Sequence, residues 1–267
     1  VALSPLRIGL IGAGRIGAFH AGLLARHVPP TRLVAVADPR PGVAAALAGP
    51  LGARGETVPE AVFAAADVDA VVITASSVAH AGLVAAAAEA GKHVFCEKPA
   101  GMSLAEIEVG RAATASAGVV FQVGFNRRFA RDFRAARDTV AAGRIGDVRL
   151  LRSLTRDPGT GVADPGAVPP GTIFTQTLIH DFDMLNWLNP GARAVDVLAT
   201  ADALVAPELL HDAYVAEFAE FAAAVGEGRA PAVTGADALA AFAIAQACIE
   251  SHRTGARIAV APVAVPA

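Results

Sequence analysis

Cysteine is nearly absent from this chain: Cys96 and Cys248 are the only two in 267 residues. Two such thiols build no disulfide framework, so a reducing, cytoplasmic compartment is expected. Charge is also sparse. Charged residues make up 18% of the chain, against about 25% in an average soluble protein, and the net charge is −3. Together with 54% hydrophobic residues, this excludes a disordered chain and a nucleic-acid binder that works through a broad basic surface. Aromatics are few, with one Trp and one Tyr. Long apolar runs are missing too. The mean hydropathy of +0.49 comes largely from alanine, which is too weakly apolar to hold a segment in lipid. The longest charge-free stretch near the middle, residues 70–88, is interrupted by Thr74, Ser76, Ser77 and His80 and reads as strand, turn and helix. No membrane span is expected, and no leader, because residues 1–4 run directly into a strand. No Cys/His cluster has zinc spacing and no G-x-x-x-x-G-K-[ST] motif occurs, so neither a metal nor a P-loop is expected.

What is present alternates. Leu6–Ile11, Arg32–Ala37, Val68–Thr74, His93–Cys96 and Val119–Val123 read as strands, separated by helical spacing at 15–27, 42–47, 79–91 and 103–117. Thr57 with Glu60, and Ser103 with Glu106, fit capping boxes. Strands alternating with helices mean βαβ units and a mostly parallel sheet. The pattern changes after Gly124. A helix is predicted over 129–142, a long strand over 147–155, a Gly/Pro-rich loop over 157–171, a helix over 176–188 and a strand over 194–201, then helices at 212–225 and 237–252. The expected fold is α/β: a Rossmann dinucleotide-binding domain, residues 1–123, followed by an α+β substrate and oligomerisation domain, residues 124–267.

Gly12-Ala13-Gly14-Arg15-Ile16-Gly17 is G-x-G-x-x-G, leaving an apolar strand and opening a helix. The first glycine permits the tight turn, the second lets a pyrophosphate approach the backbone, and the third lets helix and strand pack closely. The helix N-terminus then faces the phosphates. Asp38 ends the second strand, 21 residues after Gly17, where an acid accepts hydrogen bonds from the ribose hydroxyls. A carboxylate there repels a 2′-phosphate, so NAD is favoured. Arg40 could pair with that phosphate, which keeps NADP as the second candidate.

Lysine is the other scarce residue. Of 22 basic side chains only Lys92 and Lys98 are lysine. Lys92 reads as solvated surface. Lys98 lies in Cys96-Glu97-Lys98-Pro99 at the carboxyl end of a parallel strand, the end where ligands bind in an α/β sheet. It can donate a hydrogen bond and a positive charge to an alcohol oxygen as hydride leaves, a role arginine fills less well. Pro99 is a candidate for a cis bond. Gln176 and His180 are four apart and share a face if they lie on a helix. His180 can titrate near neutrality and take a hydroxyl proton.

The glycine turn, Glu97-Lys98-Pro99 and the later His180-Asp181-Phe182-Asp183 together resemble the Gfo/Idh/MocA oxidoreductases, over nearly the whole chain. The resemblance, nearest the inositol 2-dehydrogenase type, implies NAD(P)-linked oxidation or reduction at a carbinol carbon of a polyol, sugar or sugar acid. It implies that Lys98 is the catalytic lysine, that Thr74, Ala75, Ser76 and His80 lie beside the nicotinamide, with Glu97 and Lys98 adjoining the cofactor, and that Asn126 and Arg127 of Gly124-Phe125-Asn126-Arg127-Arg128 face the substrate. Lys98 and His180 then handle the proton, and Gln176 touches substrate hydroxyls. Family members commonly place aspartate where this chain has Gln176, which cannot accept a proton. They also carry several more antiparallel strands after the one at 194–201, in the sheet that usually makes the homo-oligomer. Here the chain passes almost at once into a helix, leaving open whether it is a shortened form or one from which a segment is omitted, and putting the homo-oligomer in doubt. Two other readings stay open: a cofactor-binding, sensor-like member without turnover, and an NAD-linked glycoside-cleaving or epimerising relative.

Overall fold

The computed structural model describes residues 4–155, 171–200 and 211–263. These fall into two compact units: residues up to Gly124 together with His211–Gly235, and the stretches from Phe125 to 200 and from Ala236 to 263.

The first unit is built on six strands: β1 (Leu6–Ile11), β2 (Thr31–Ala37), β3 (Arg54–Glu56), β4 (Ala70–Ile73), β5 (His93–Glu97) and β6 (Phe121–Gly124). They pair in the order β3-β2-β1-β4-β5-β6, every pair parallel. The middle strands are apolar almost throughout because both faces are covered: Ile8, Leu10, Val71, Val72, Ile73 and Phe95 are fully buried. Helices α1 (Arg15–Arg26), α2 (Val43–Ala48), α3 (Pro59–Phe63), α4 (His80–Glu89) and α5 (Leu104–Ala117) make the connections. Strand order reverses between β1 and β4, and ligands of such sheets bind in the crevice that this reversal opens.

Two local expectations divide. Ser103 caps α5, its hydroxyl accepting from Glu106 N at 3.2 Å, while Glu106 reaches back to Met102 N at 2.8 Å. The Thr57 cap does not form. The residue before α3 is Val58, held extended (φ −133°, ψ 140°) with no side-chain cap, because Pro59 at the first helical position excludes helical geometry from its predecessor.

Residues 211–235, read from sequence as part of the second domain, belong to the first unit. Its α8 (His211–Glu227) packs Phe218 and Phe221 into the cluster of Ile8, Leu10, Leu24 and Phe95. Burying each phenylalanine contributes up to about 3 kcal/mol. Gln122 in β6 donates to Glu217 O at 3.1 Å, and Val123 N donates to Val233 O at 3.3 Å.

The second unit is mainly helical: α6 (Arg131–Ala141), α7 (Ile179–Leu188) and α9 (Gly235–Thr254), the last beginning at the unit boundary. Among the described residues its sheet is short, with β7 (Asp196–Val197) antiparallel to β8 (Ile258–Ala259). The strand expected over 194–201 contracts to those two residues. The strand expected over 147–155 is not formed, since no partner ladder runs beside it among the described residues. The helix expected from 176 begins instead as a π turn, Ile173–Thr177, before α7. The Gly/Pro-rich loop lies almost wholly outside the described residues. No helix among the described residues is long and apolar enough to cross a membrane.

Candidate functional site

In the first unit the expected cofactor residues collect at the carboxyl ends of β1, β2, β4 and β5. Gly12 has φ +98°, and a Cβ there would lie 2.6 Å from Ala75 N. A Cβ on Gly17 would lie 1.9 Å from Gly12 O, so both positions exclude any side chain. Gly14 differs: a Cβ there would meet nothing within 4 Å. Gly14 is also the N-cap of α1, with no side chain capping the helix and no acid in its first turn. Open space above free helix N–H groups fits a pyrophosphate. Arg15 is exposed at the first helical position and Ile16 half-buried.

Asp38 is buried just beyond β2. It accepts from Ala13 N at 2.8 Å and from Arg40 through N at 3.0 Å, Nε at 2.8 Å and a terminal nitrogen at 2.8 Å. The Arg40 guanidinium and these N–H groups hold its carboxyl well below the usual range. It is therefore an acceptor at neutral pH, as ribose hydroxyls require. Arg40 is itself largely exposed and braces this acid.

Thr74, Ala75 and Ser76 follow β4. The Thr74 hydroxyl donates to Gly12 O at 2.7 Å, bracing the glycine turn from across the switch point. Ser76 is exposed. His80 is buried, its Nδ1 2.8 Å from Pro99 O and its Nε2 2.9 Å from Ala75 O. Glu97 is buried at the end of β5. Its Oε1 lies 2.6 Å from His20 Nε2, and its Oε2 accepts from Lys98 N at 3.2 Å. Lys98 is half-buried and precedes a cis bond to Pro99. Lys92, by contrast, is no solvated surface group: its Nζ donates to Ala65 O and Val68 O, both at 2.8 Å. Cys96 is a core residue whose thiol burial pushes up.

In the second unit Asn126, Arg127 and Arg128 form a buried 3₁₀ turn, Asn126–Phe129. Arg127 pairs with Asp181 at 3.1 Å and donates to Thr155 Oγ1 at 3.1 Å. Asp181 also accepts from Ser153 and, at 2.8 Å, from Thr155. Arg128 pairs with Asp183 (Nε to Oδ2 2.9 Å) and with Asp237 at 3.0 Å. Burial pushes the Asp183 carboxyl up to about 6, against the pull of Arg128. Both aspartates therefore support the fold through arginine. His180, at the start of α7, is half-buried, its ring edge-on to Phe125 at 6.0 Å. Gln176 is half-buried in the π turn, a geometry that recurs at functional sites.

His20 is not among the site residues expected from the sequence, yet it is fully buried against Glu97. The signal was available: an acid at the buried end of a strand demands a donor, and His20 lies on the helix opened by the glycine turn.

This fold and turn define a dinucleotide-binding Rossmann domain. Residues 6–125 match the model of the Gfo/Idh/MocA oxidoreductase family, NAD-binding Rossmann fold, and residues 133–244 match the Gfo/Idh/MocA C-terminal domain. A crystal structure from Sinorhizobium meliloti 1021 superposes with a TM-score of 0.84 at 31% identity, over 96% of this chain and 100% of that one. The chain belongs to the Gfo/Idh/MocA family. It is 42% identical over 200 residues to inositol 2-dehydrogenase of Rhizobium meliloti (strain 1021), covering 75% of this chain and 59% of that protein. It is 38% identical over 205 residues to myo-inositol 2-dehydrogenase of Thermotoga maritima, covering 76% and 60%. The chain thus spans about three-fifths of the length of these curated relatives.

Proposed function

We propose that the chain is an NAD-dependent dehydrogenase acting at a carbinol carbon of a cyclic polyol or sugar, inositol-like in shape. The observation that carries this is Lys98, standing at the carboxyl end of β5 in an NAD-binding sheet, in a chain whose relatives named above are inositol 2-dehydrogenases. The bound nicotinamide supplies the hydride acceptor or donor. Asp38 accepts the ribose hydroxyls, and the N-terminus of α1 takes the pyrophosphate. Lys98 Nζ donates to the substrate oxygen as it becomes alkoxide-like, and the imidazole of His180 takes the hydroxyl proton. Asn126, Arg127 and Gln176 bind substrate hydroxyls, with Asp181 fixing the arginine. Gln176 can orient a hydroxyl but cannot share the proton, so the acid–base work rests on Lys98 and His180. A general acid–base group is worth about 10²–10⁴-fold in rate.

The test is reduction of NAD, and separately NADP, against a panel of cyclic polyols and sugars. Turnover on an inositol, lowered about 10²–10⁴-fold but still measurable in Lys98→Met and His180→Ala with cofactor binding retained, is the expected result. Cofactor binding without turnover on any member of the panel would overturn it.

We also place the protein in the cytoplasm, supported by two buried free cysteines, and propose a homo-oligomer. Of nine exposed large apolar side chains among the described residues, five (Ile145, Leu150, Leu154, Val195 and Leu198) fall in the second unit, apolar surface that a second copy could cover. Light scattering on the purified chain tests this, and a monomer at high micromolar concentration overturns it.

A further inference from the structure

We infer that His20 and His80 are positioning residues for Lys98, gripping the Glu97–Lys98–Pro99 segment from its two sides. This rests on the reading above in which Lys98 handles the proton.

A lysine side chain is long and flexible, so its aim depends on how firmly its backbone is held. Here the residues on both sides of Lys98 are anchored to other elements. On one side, Glu97 uses one carboxylate oxygen for His20 Nε2 at 2.6 Å and the other for Lys98 N at 3.2 Å. His20 is itself immobile. It is fully buried, with the rings of Tyr214 and Phe218 each at 4.9 Å and Phe19 at 5.9 Å. Its Nδ1 has no hydrogen-bond partner among the described residues, so the ring serves Glu97 alone. Burial by itself would push the Glu97 carboxyl up, but the hydrogen bond from His20 and the nearby cationic groups bring it below its ordinary value. The acid therefore stays an acceptor for Lys98 N.

On the other side, His80 holds Pro99 O at 2.8 Å and Ala75 O at 2.9 Å. It joins the segment after β5 to the segment after β4. Both partners are carbonyls, so the doubly protonated ring donates to both and the neutral ring to one. His80 was expected beside the nicotinamide. Both of its ring nitrogens lie within hydrogen-bond distance of backbone carbonyls, so the ring also holds the lysine segment.

The experiment is a set of double-mutant cycles on the best substrate of the panel. His80→Leu and His20→Phe should each lower kcat about tenfold or more, since misplacing a reacting group by about 1 Å costs up to about 10²-fold. Each should leave the NAD Kd within twofold and add no further loss in the Lys98→Met background. His80→Gln, which keeps an N–H donor, should recover part of the loss, and it is read in place of His80→Leu if that variant fails to fold. If Lys98→Met is impaired but the histidine variants turn over like the parent, or if their losses add fully to that of Lys98→Met, the inference is overturned and the function stands. If Lys98→Met keeps near-full turnover, the assignment of Lys98 and this inference fall together.

Discussion

The two units hold their functional side chains by different means. In the first, a parallel ladder places the backbone, and most polar groups at its carboxyl end are tied to main-chain atoms, Thr74 to Gly12 O, Asp38 to Ala13 N and His80 to Pro99 O, with Arg40 on Asp38 and His20 on Glu97 as added side-chain braces. In the second, side chains hold side chains. Arg127 is fixed by Asp181, and Arg128 by Asp183 and Asp237, over a sheet of two short strands. A main-chain scaffold tolerates the loss of one side chain better than a buried ion-pair scaffold does, because a lone buried charge is costly.

That difference can be broken first at its strongest point. Arg128→Met strands the buried Asp183 and should cost about 3–5 kcal/mol of stability, read by urea unfolding; a loss below 1 kcal/mol would deny the ion pairs their structural role. Gly17→Ala attacks the first unit where its backbone is tightest. The new methyl meets Gly12 O, and about 1–3 kcal/mol is expected from overpacking, with cofactor binding lost as well. Gly14→Ala is the control. Its methyl points into open space, so the melting temperature should hold while NAD affinity falls about tenfold or more, measured by calorimetry. Ser103→Ala removes the α5 cap and should cost about 1 kcal/mol.

Legibility follows the same division. The G-x-G-x-x-G turn, the acid ending β2 and the order of strands and helices up to 124, apart from the three-residue edge strand β3 that went unpredicted, were readable because short-range patterns there dictate backbone geometry. Lys98 stood out by rarity, and its place after β5 came from the strand pattern. The second unit was less readable. Helical spacing from 176 could not reveal that Ile173–Thr177 winds as a π turn, since both helix types show the same apolar face over so short a stretch. The extended look of 147–155 implied a strand, but a strand needs a partner, and partners are a tertiary matter. The place of α8 in the first unit could not be seen either: the helical spacing over 212–225 says nothing of which core receives Phe218 and Phe221.

The smallest expected effect is with acid. Asp38 and Asp69 are held below their ordinary values, chiefly by hydrogen bonds from Arg40 and Arg7 respectively. A depressed acid contributes stability that is present above its unfolded value of about 4 and lost as pH falls through its folded value. Between pH 7 and 5 these two pairs should therefore contribute no change. Below about pH 4 their contribution should fade, as the slope of unfolding midpoint against pH will show; Asp38→Asn should flatten that slope.

The scarcity of lysine gives the protein a built-in spectroscopic handle. Within these 267 residues only two side-chain amines exist, and one of them, Lys92, is clamped between two carbonyl oxygens. Isotope-labelled lysine would therefore yield two ammonium signals, one from a caged group and one from the group assigned to chemistry, so Lys98 could be followed by magnetic resonance as cofactor and polyol are added.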